Sequence, residues 1–108
     1  MPPALTGKQK RFLRALAHDK KPVVQLGKEG LTEAVRKATD QSLETHELIK
    51  VKVASSDEDL VSLGERLAEQ TRSSLADVIG RTLLLYRARS KKPTIVLPKA
   101  TPKTEGTP

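Results

Sequence analysis

Two glycines enclose a lysine and a glutamate in the stretch GKEG, residues 27–30, where an extended apolar run gives way to a helical pattern. Without side chains at Gly27 and Gly30, a sugar-phosphate backbone can approach the main chain closely. Lys28 adds a mobile cation, and the N-terminus of the following helix favours phosphate. KH domains clamp nucleic acid with such a loop. Glu29 fits only if its carboxylate points away.

An ordinary strand-to-helix turn is the alternative interpretation of this stretch. A glycine would then supply a positive φ, and Lys28 would be a solvated tip. The four residues alone do not decide between the two interpretations, so the rest of the chain must.

The distribution of charge favours a polyanionic partner. The chain of 108 residues carries a formal net charge of +7, which is typical of proteins that bind nucleic acid. Residues 1–30 hold seven cations against two anions, and residues 80–104 hold seven cations and no anion. Residues 31–79 are acidic, with ten anions against six cations. Besides the glycine loop, the candidate RNA-binding residues are Lys8, Lys10, Arg11, Arg14, Arg81 and Arg87.

Catalytic and metal chemistry has little support in the sequence. There is no cysteine, and the two histidines, His18 and His46, lack the convergent partners that a metal site or a nucleophilic triad needs. We therefore predict no catalytic residues, no metal and no cofactor. No apolar run reaches the roughly 20 residues of a membrane helix, and no secretory signal is evident. The simplest expectation is a cytoplasmic monomer away from membranes.

Hydrophobic periodicity predicts one folded domain over residues 1–97 and a disordered Pro/Thr/Lys-rich tail over 98–108. The predicted elements are a helix over 5–18, a strand in KKPVVQL, a helix over 31–46 and a strand in LIKVKVA. The stretch SSDEDLVSLGERLAEQ is predicted to form a helix that begins with a serine cap, and two strands flank Gly80. TIVL, residues 94–97, is a candidate edge strand. The predicted fold is α/β (α+β): a helix, then β-α-β-α-β-β, with helices covering a mixed four-stranded sheet.

The pattern within each element predicts which side chains face the core. In the first helix these are Leu5, Phe12, Leu13 and Leu16, and in the second Leu31, Ala34, Val35, Ala38 and Ser42. In LIKVKVA, Ile49, Val51 and Val53 should be buried, and the lysines between them should lie on a solvated face.

Three segments in order, LTGKQKRFLRALAHDKKPVVQLGKEGLTEAV, HELIKVKV and VIGRTLLLYR, resemble the CRM domain, the YhbY-like family of small RNA-binding proteins. The resemblance runs from about Leu5 to Leu97. It implies a fold like the C-terminal domain of translation initiation factor three. It places the family's glycine loop on residues 27–30, its basic helix on residues 8–14 and its terminal LYR on residues 85–87. Glu29 occupies a variable position of that loop, and the tail lies outside the family pattern.

The resemblance also implies a function. Bacterial single-domain members are associated with precursors of the large ribosomal subunit, and plant members assist intron splicing. We therefore predict a non-catalytic assembly factor that binds ribosomal RNA by its phosphate backbone, with neighbouring ribosomal proteins as further partners. With Phe12 and Tyr86 as the only aromatics, base stacking should contribute little. Two alternatives stay open: a module that docks basic ribosomal proteins on the acidic segment 31–79, and an enzyme that acts on RNA.

Overall fold

The computed structural model describes residues 5–54 and 58–98. Its elements follow the predicted order: α1 Gly7–Leu16, β1 Val24–Leu26, α2 Glu33–His46, β2 Leu48–Val53, α3 Leu60–Thr71, β3 Ser74–Ile79 and β4 Thr82–Tyr86. The four strands form one sheet in the order β1-β2-β4-β3, in which β1 runs parallel to β2 and the other pairs are antiparallel. The predicted α+β fold with a mixed four-stranded sheet is confirmed.

Side-chain caps set the starts of the helices. Thr6 and Gln9 form a capping box at α1. Thr32 caps α2 through Val35 N. The predicted serine cap of α3 lies outside the described residues. The helix begins only at Leu60, because Asp59 is its cap and accepts a hydrogen bond from Ser62 N at 3.1 Å.

Helices cover both faces of the sheet. The helices α2 and α3 pack on one face over a core centred on Leu43, Val51 and Leu67. The helix α1 packs on the other face, where Leu13 and Ala17 meet side chains of β2, β3 and β4. The prediction of a solvated second face of β2 is therefore only partly correct. Its first residue, Leu48, belongs to the α1-side core, Lys50 is half-buried, and Lys52 is exposed.

The predicted inner stripes of the helices need two corrections. Leu16, the last residue of α1, is 43% exposed, whereas the next residue, Ala17, is fully buried. In α2, Ala34 is exposed, whereas Thr39 and Leu43 are fully buried. Thr39 can be buried because its hydroxyl donates to Val35 O at 2.8 Å.

The segment after β4 is held in place by a buried carboxylate. Glu47 has no solvent exposure, and its oxygens accept bonds from Arg89 N, Thr94 N, Thr94 Oγ1 and Ile95 N at 2.5–3.1 Å. The predicted strand in TIVL does not form, because these backbone donors bind Glu47 instead of a neighbouring strand. Ile95 and Leu97 pack against the α1-side core. Pro98, predicted to begin the disordered tail, accepts a bond from Gln9 Nε2 at 3.0 Å; the rest of that tail lies outside the described residues.

Candidate nucleic-acid interface

The glycine loop between β1 and α2 is a tight turn with open space above it. Gly30 N donates to Gly27 O at 3.1 Å and closes the turn. A Cβ atom at either glycine would have no neighbour within 4 Å. Gly30 has a φ of +79°, which other residues adopt only with strain, whereas Gly27 does not have a positive φ. The backbone therefore requires glycine at Gly30, but neither backbone nor packing requires it at Gly27.

The loop lies beside Arg81 at one end of the sheet. Ala54 N donates to Leu26 O at 2.9 Å, and Val53 N donates to Arg81 O at 2.8 Å. These bonds bring the carboxyl ends of β1 and β2 next to the β3–β4 hairpin. Arg81 is exposed, and its Nε donates to Val53 O at 3.1 Å, which fixes the direction of the guanidinium. Lys28 of the loop and Arg81 therefore lie at the same end of the sheet.

The basic arc of α1 lies on the sheet face opposite α2 and α3. Lys8, Lys10 and Arg11 are exposed. Arg14 forms an ion pair with Asp77 of β3 at 3.4 Å, with 63% of the arginine side chain exposed. An exposed pair of this kind contributes little to stability. It links α1 to the hairpin that carries Arg81 at its tip.

A β-bulge in β3 brings Asp77 to the side of the sheet that faces α1. The pairing of β3 with β4 shifts register between Leu75 and Asp77. Ala76 belongs to the α1-side core, and Asp77 binds Arg14 of the same helix. The extra residue therefore turns two consecutive side chains toward α1. The sequence gives no signal of this bulge.

Arg87 lies at the opposite end of the sheet from the glycine loop. Its guanidinium donates to Asp40 Oδ1 at 2.6 Å, to Thr71 O at 2.7 Å and to Asp40 O at 3.1 Å, and only 19% of its side chain is exposed. These contacts join β4 to α2 and α3. These bonds within the fold do not favour the expected role of Arg87 in RNA binding, which stays a prediction.

Two carboxylates reduce the attraction of the α2 N-terminus for phosphate. Glu29 is in the loop, and Glu33 opens the helix with a bidentate pair to Arg36 at 2.7 and 2.8 Å. The hydrogen bond from Arg36 lowers the pKa of Glu33, so this carboxylate stays ionised. Any phosphate bound at this loop must therefore depend on Lys28 and Arg81 more than on the helix dipole.

Both aromatic residues are used in packing. Tyr86 is 9% exposed in the α1-side core, and Phe12 packs against the same cluster. Burial, and to a smaller degree the charge of Glu47, raises the pKa of Tyr86. Neither ring is an open platform on which bases could stack, as the sequence suggested.

Sequence reasoning missed Lys52 as a member of this surface. In the parallel pairing of β1 with β2, Lys52 lies beside Gln25, and Thr82 is its neighbour on β4. It therefore lies one residue from the end of β2 that adjoins the glycine loop and Arg81. The alternation in LIKVKV placed this lysine on the polar face, but only the sheet order puts it beside β1.

Within residues 5–54 and 58–98, no three histidines or acids converge to hold a metal ion. His18 and His46 are both exposed. Among those residues there is also no helix whose length and apolarity would let it cross a membrane.

Comparison with known proteins agrees with the fold. A family model for the CRS1 / YhbY (CRM) domain matches residues 5–87. The chain belongs to this family. The matched part of this CRM domain contains all seven helices and strands, and it ends at Arg87.

Relatives of this CRM domain include proteins named for RNA binding. "Probable RNA-binding protein YqeI" of Bacillus subtilis is 43% identical over 95 residues, which cover 87% of this chain and 99% of the relative. An "RNA-binding protein" of Haemophilus influenzae is 44% identical over 96 residues, covering 88% and 96% of the two chains. The solution structure of hypothetical protein SAV1595 from Staphylococcus aureus is 47% identical and superposes with a TM-score of 0.76, covering 87% and 99%.

Proposed function

We propose that this CRM domain binds RNA by its phosphate backbone, at the end of the sheet where the glycine loop, Lys28 and Arg81 meet. The observation that carries the proposal is Gly27, where the fold has no need of glycine but a phosphate would need the space. The relatives named as RNA-binding proteins support RNA as the partner. In the same proposal, the arc of Lys8, Lys10 and Arg11 contacts more distant phosphates.

The finer proposal is that the RNA is ribosomal, within a precursor of the large ribosomal subunit, and that the protein is a non-catalytic assembly factor in the cytoplasm. It extends the family resemblance to this chain. The test is crosslinking in cells followed by sequencing of the attached RNA. Reads concentrated on large-subunit precursor RNA would support it, and reads dominated by messenger or transfer RNA would reject the ribosomal part alone.

Salt dependence tests the electrostatic mechanism directly. If about five cations contact phosphates, log Kd should rise linearly with log[salt], with a slope of about 3 to 5. Replacing Lys28 with alanine should weaken all RNAs similarly and reduce that slope by about one. Fluorescence anisotropy between roughly 50 and 200 mM salt measures both quantities.

The matched control is Lys91→Ala, which removes the same charge from an exposed position near the opposite end of the molecule, where Ser90 binds Glu44. It should leave the slope within experimental error of the wild-type value. A slope near zero for the wild-type protein, or an equal reduction by both variants, would reject local phosphate contacts at the loop.

Docking of a basic protein on the acidic segment is less well supported. Among the described residues, five of its carboxylates already pair with arginines of the chain itself: Glu33, Asp40, Glu44, Glu58 and Asp77. A pull-down with and without nuclease separates the alternatives. Ribosomal association that survives complete RNA digestion would favour protein docking.

A further inference from the structure

A shallow cleft opens on the sheet face beside β1, on the side that α1 leaves uncovered. Its volume is about 460 Å³, within the range of small-ligand sites. We call it the β1 cleft; it is lined by Lys21, Pro22, Val23, Val24, Gln25 and Lys52. None of these six residues is acidic. A second shallow cavity, beside α1, includes Asp19 next to its arginines.

The side chains of the β1 cleft match the parts of one nucleotide. Val23 is 49% exposed, although it is a large apolar residue next to Pro22, so both can contact the face of a base. Gln25 is exposed, and its amide can donate to and accept from a base edge. Lys21 and Lys52 are exposed cations that can bind the flanking phosphates.

The β1 cleft is continuous with the glycine loop. Gln25 precedes Gly27 by two residues, about 7 Å along an extended strand. Lys52 lies beside Gln25 on β2, and the next residue, Val53, bonds to Arg81. A single RNA strand whose backbone lies on the loop can therefore place a neighbouring nucleotide in the cleft.

We propose that the β1 cleft binds one unpaired nucleotide of the RNA whose backbone lies on the glycine loop. This inference rests on the proposed function and adds a preference that phosphate contacts alone cannot give. A base within a duplex has its edge occupied by its partner and its faces stacked, so it cannot enter the cleft. RNA with a bulge or an unpaired end is then bound more tightly than a continuous duplex.

The test compares two blunt-ended RNA duplexes that are identical except for one unpaired nucleotide bulged from one strand of the second duplex. Wild-type protein should bind the bulged RNA several times more tightly. Gln25→Ala should raise Kd for the bulged RNA by about fivefold, a change typical of a lost hydrogen-bonding contact. It should leave Kd for the paired RNA unchanged. The salt slope should be unaffected, because glutamine is neutral.

Two further variants make the result specific. Gln70→Ala removes the same side chain from an exposed position of α3 and should bind both RNAs like the wild type. Val23→Asp places a carboxylate where the base would lie and should lower affinity for the bulged RNA more than Gln25→Ala does. The side chain of Val23 is half exposed, and the bond from its N–H to Lys50 O does not depend on side-chain identity. Thermal unfolding checks that each variant is folded. If Val23→Asp does not fold, the result for Gln25→Ala alone decides whether the cleft binds a nucleotide.

The outcomes separate the two proposals. Suppose that the wild type binds both RNAs with a clear salt slope and that Gln25→Ala binds each RNA as tightly as the wild type does. The β1 cleft is then not a nucleotide site, and the proposed function stands. If Gln25→Ala weakens both RNAs to the same degree, the cleft contacts backbone and the preference for an unpaired nucleotide is wrong. If the wild type binds neither RNA, the proposed function fails and this inference fails with it.

Discussion

Replacing Gly27 with glutamine is expected to raise Kd for RNA at least about tenfold, a loss of about 1.4 kcal/mol of binding free energy, without a measurable change in thermal stability. A Cβ atom at Gly27 meets nothing within 4 Å, and the residue does not have a positive φ. The folded protein therefore accepts a side chain there. A phosphate approaching the main chain does not, because the added atoms occupy the space that it needs. Anisotropy titration and a thermal melt on the same sample measure both effects.

Gly30 provides the matched control, since it belongs to the same turn and has equally open surroundings. Its φ of +79° makes an alanine cost about 1 kcal/mol of folding free energy. Gly30→Ala should therefore lower the unfolding midpoint by roughly 5 °C in a domain of this size. If Gly27→Gln lowers the midpoint as much, or leaves RNA affinity unchanged, the loop is an ordinary turn.

Local sequence patterns predicted those parts of the fold that depend on neighbouring residues. The alternation in LIKVKV and the glycines around Lys28 involve residues within a few positions of one another. Ile49, Val51 and Val53 are buried as expected, and the glycines form the turn between β1 and α2. The positive φ expected of one glycine in the loop belongs to Gly30. The order of elements followed from these local signals.

The remaining features depend on pairings between distant segments. The sheet order puts Lys52 beside Gln25, and the bulge at Ala76 turns Asp77 toward Arg14. Arg81 and Arg87 looked equivalent because both flank β4. The length of β4 separates its two ends, so Arg81 lies at the end nearer the glycine loop, where it bonds to Val53 O, and Arg87 binds acids of α2 at the other end. A charge count along the chain cannot distinguish a cation available to a ligand from one used within the fold.

Replacing Glu47 with glutamine is expected to cost on the order of 3 kcal/mol of unfolding free energy at pH 7, a large share of the stability of a small domain. Burial by itself would raise the pKa of Glu47. The bonds from Thr94, Arg89 and Ile95 outweigh that effect and lower it from 4.5 to about 2. A glutamine amide has one acceptor oxygen where the carboxylate has two, and it carries no charge to attract the three N–H groups.

The same shift fixes the sign of the pH dependence. Because the pKa of Glu47 is lower in the folded state, its contribution is complete above pH 4.5 and is lost as the pH falls from about 4.5 to 2. Urea unfolding at pH 7, 4 and 2.5 should show this loss in the wild type and a flatter dependence in Glu47→Gln. Glu65→Gln, on the exposed surface of α3, should follow the wild-type curve. Parallel curves for wild type and Glu47→Gln would mean that the segment over Arg89–Ile95 is held by its apolar contacts, and that the buried carboxylate contributes little.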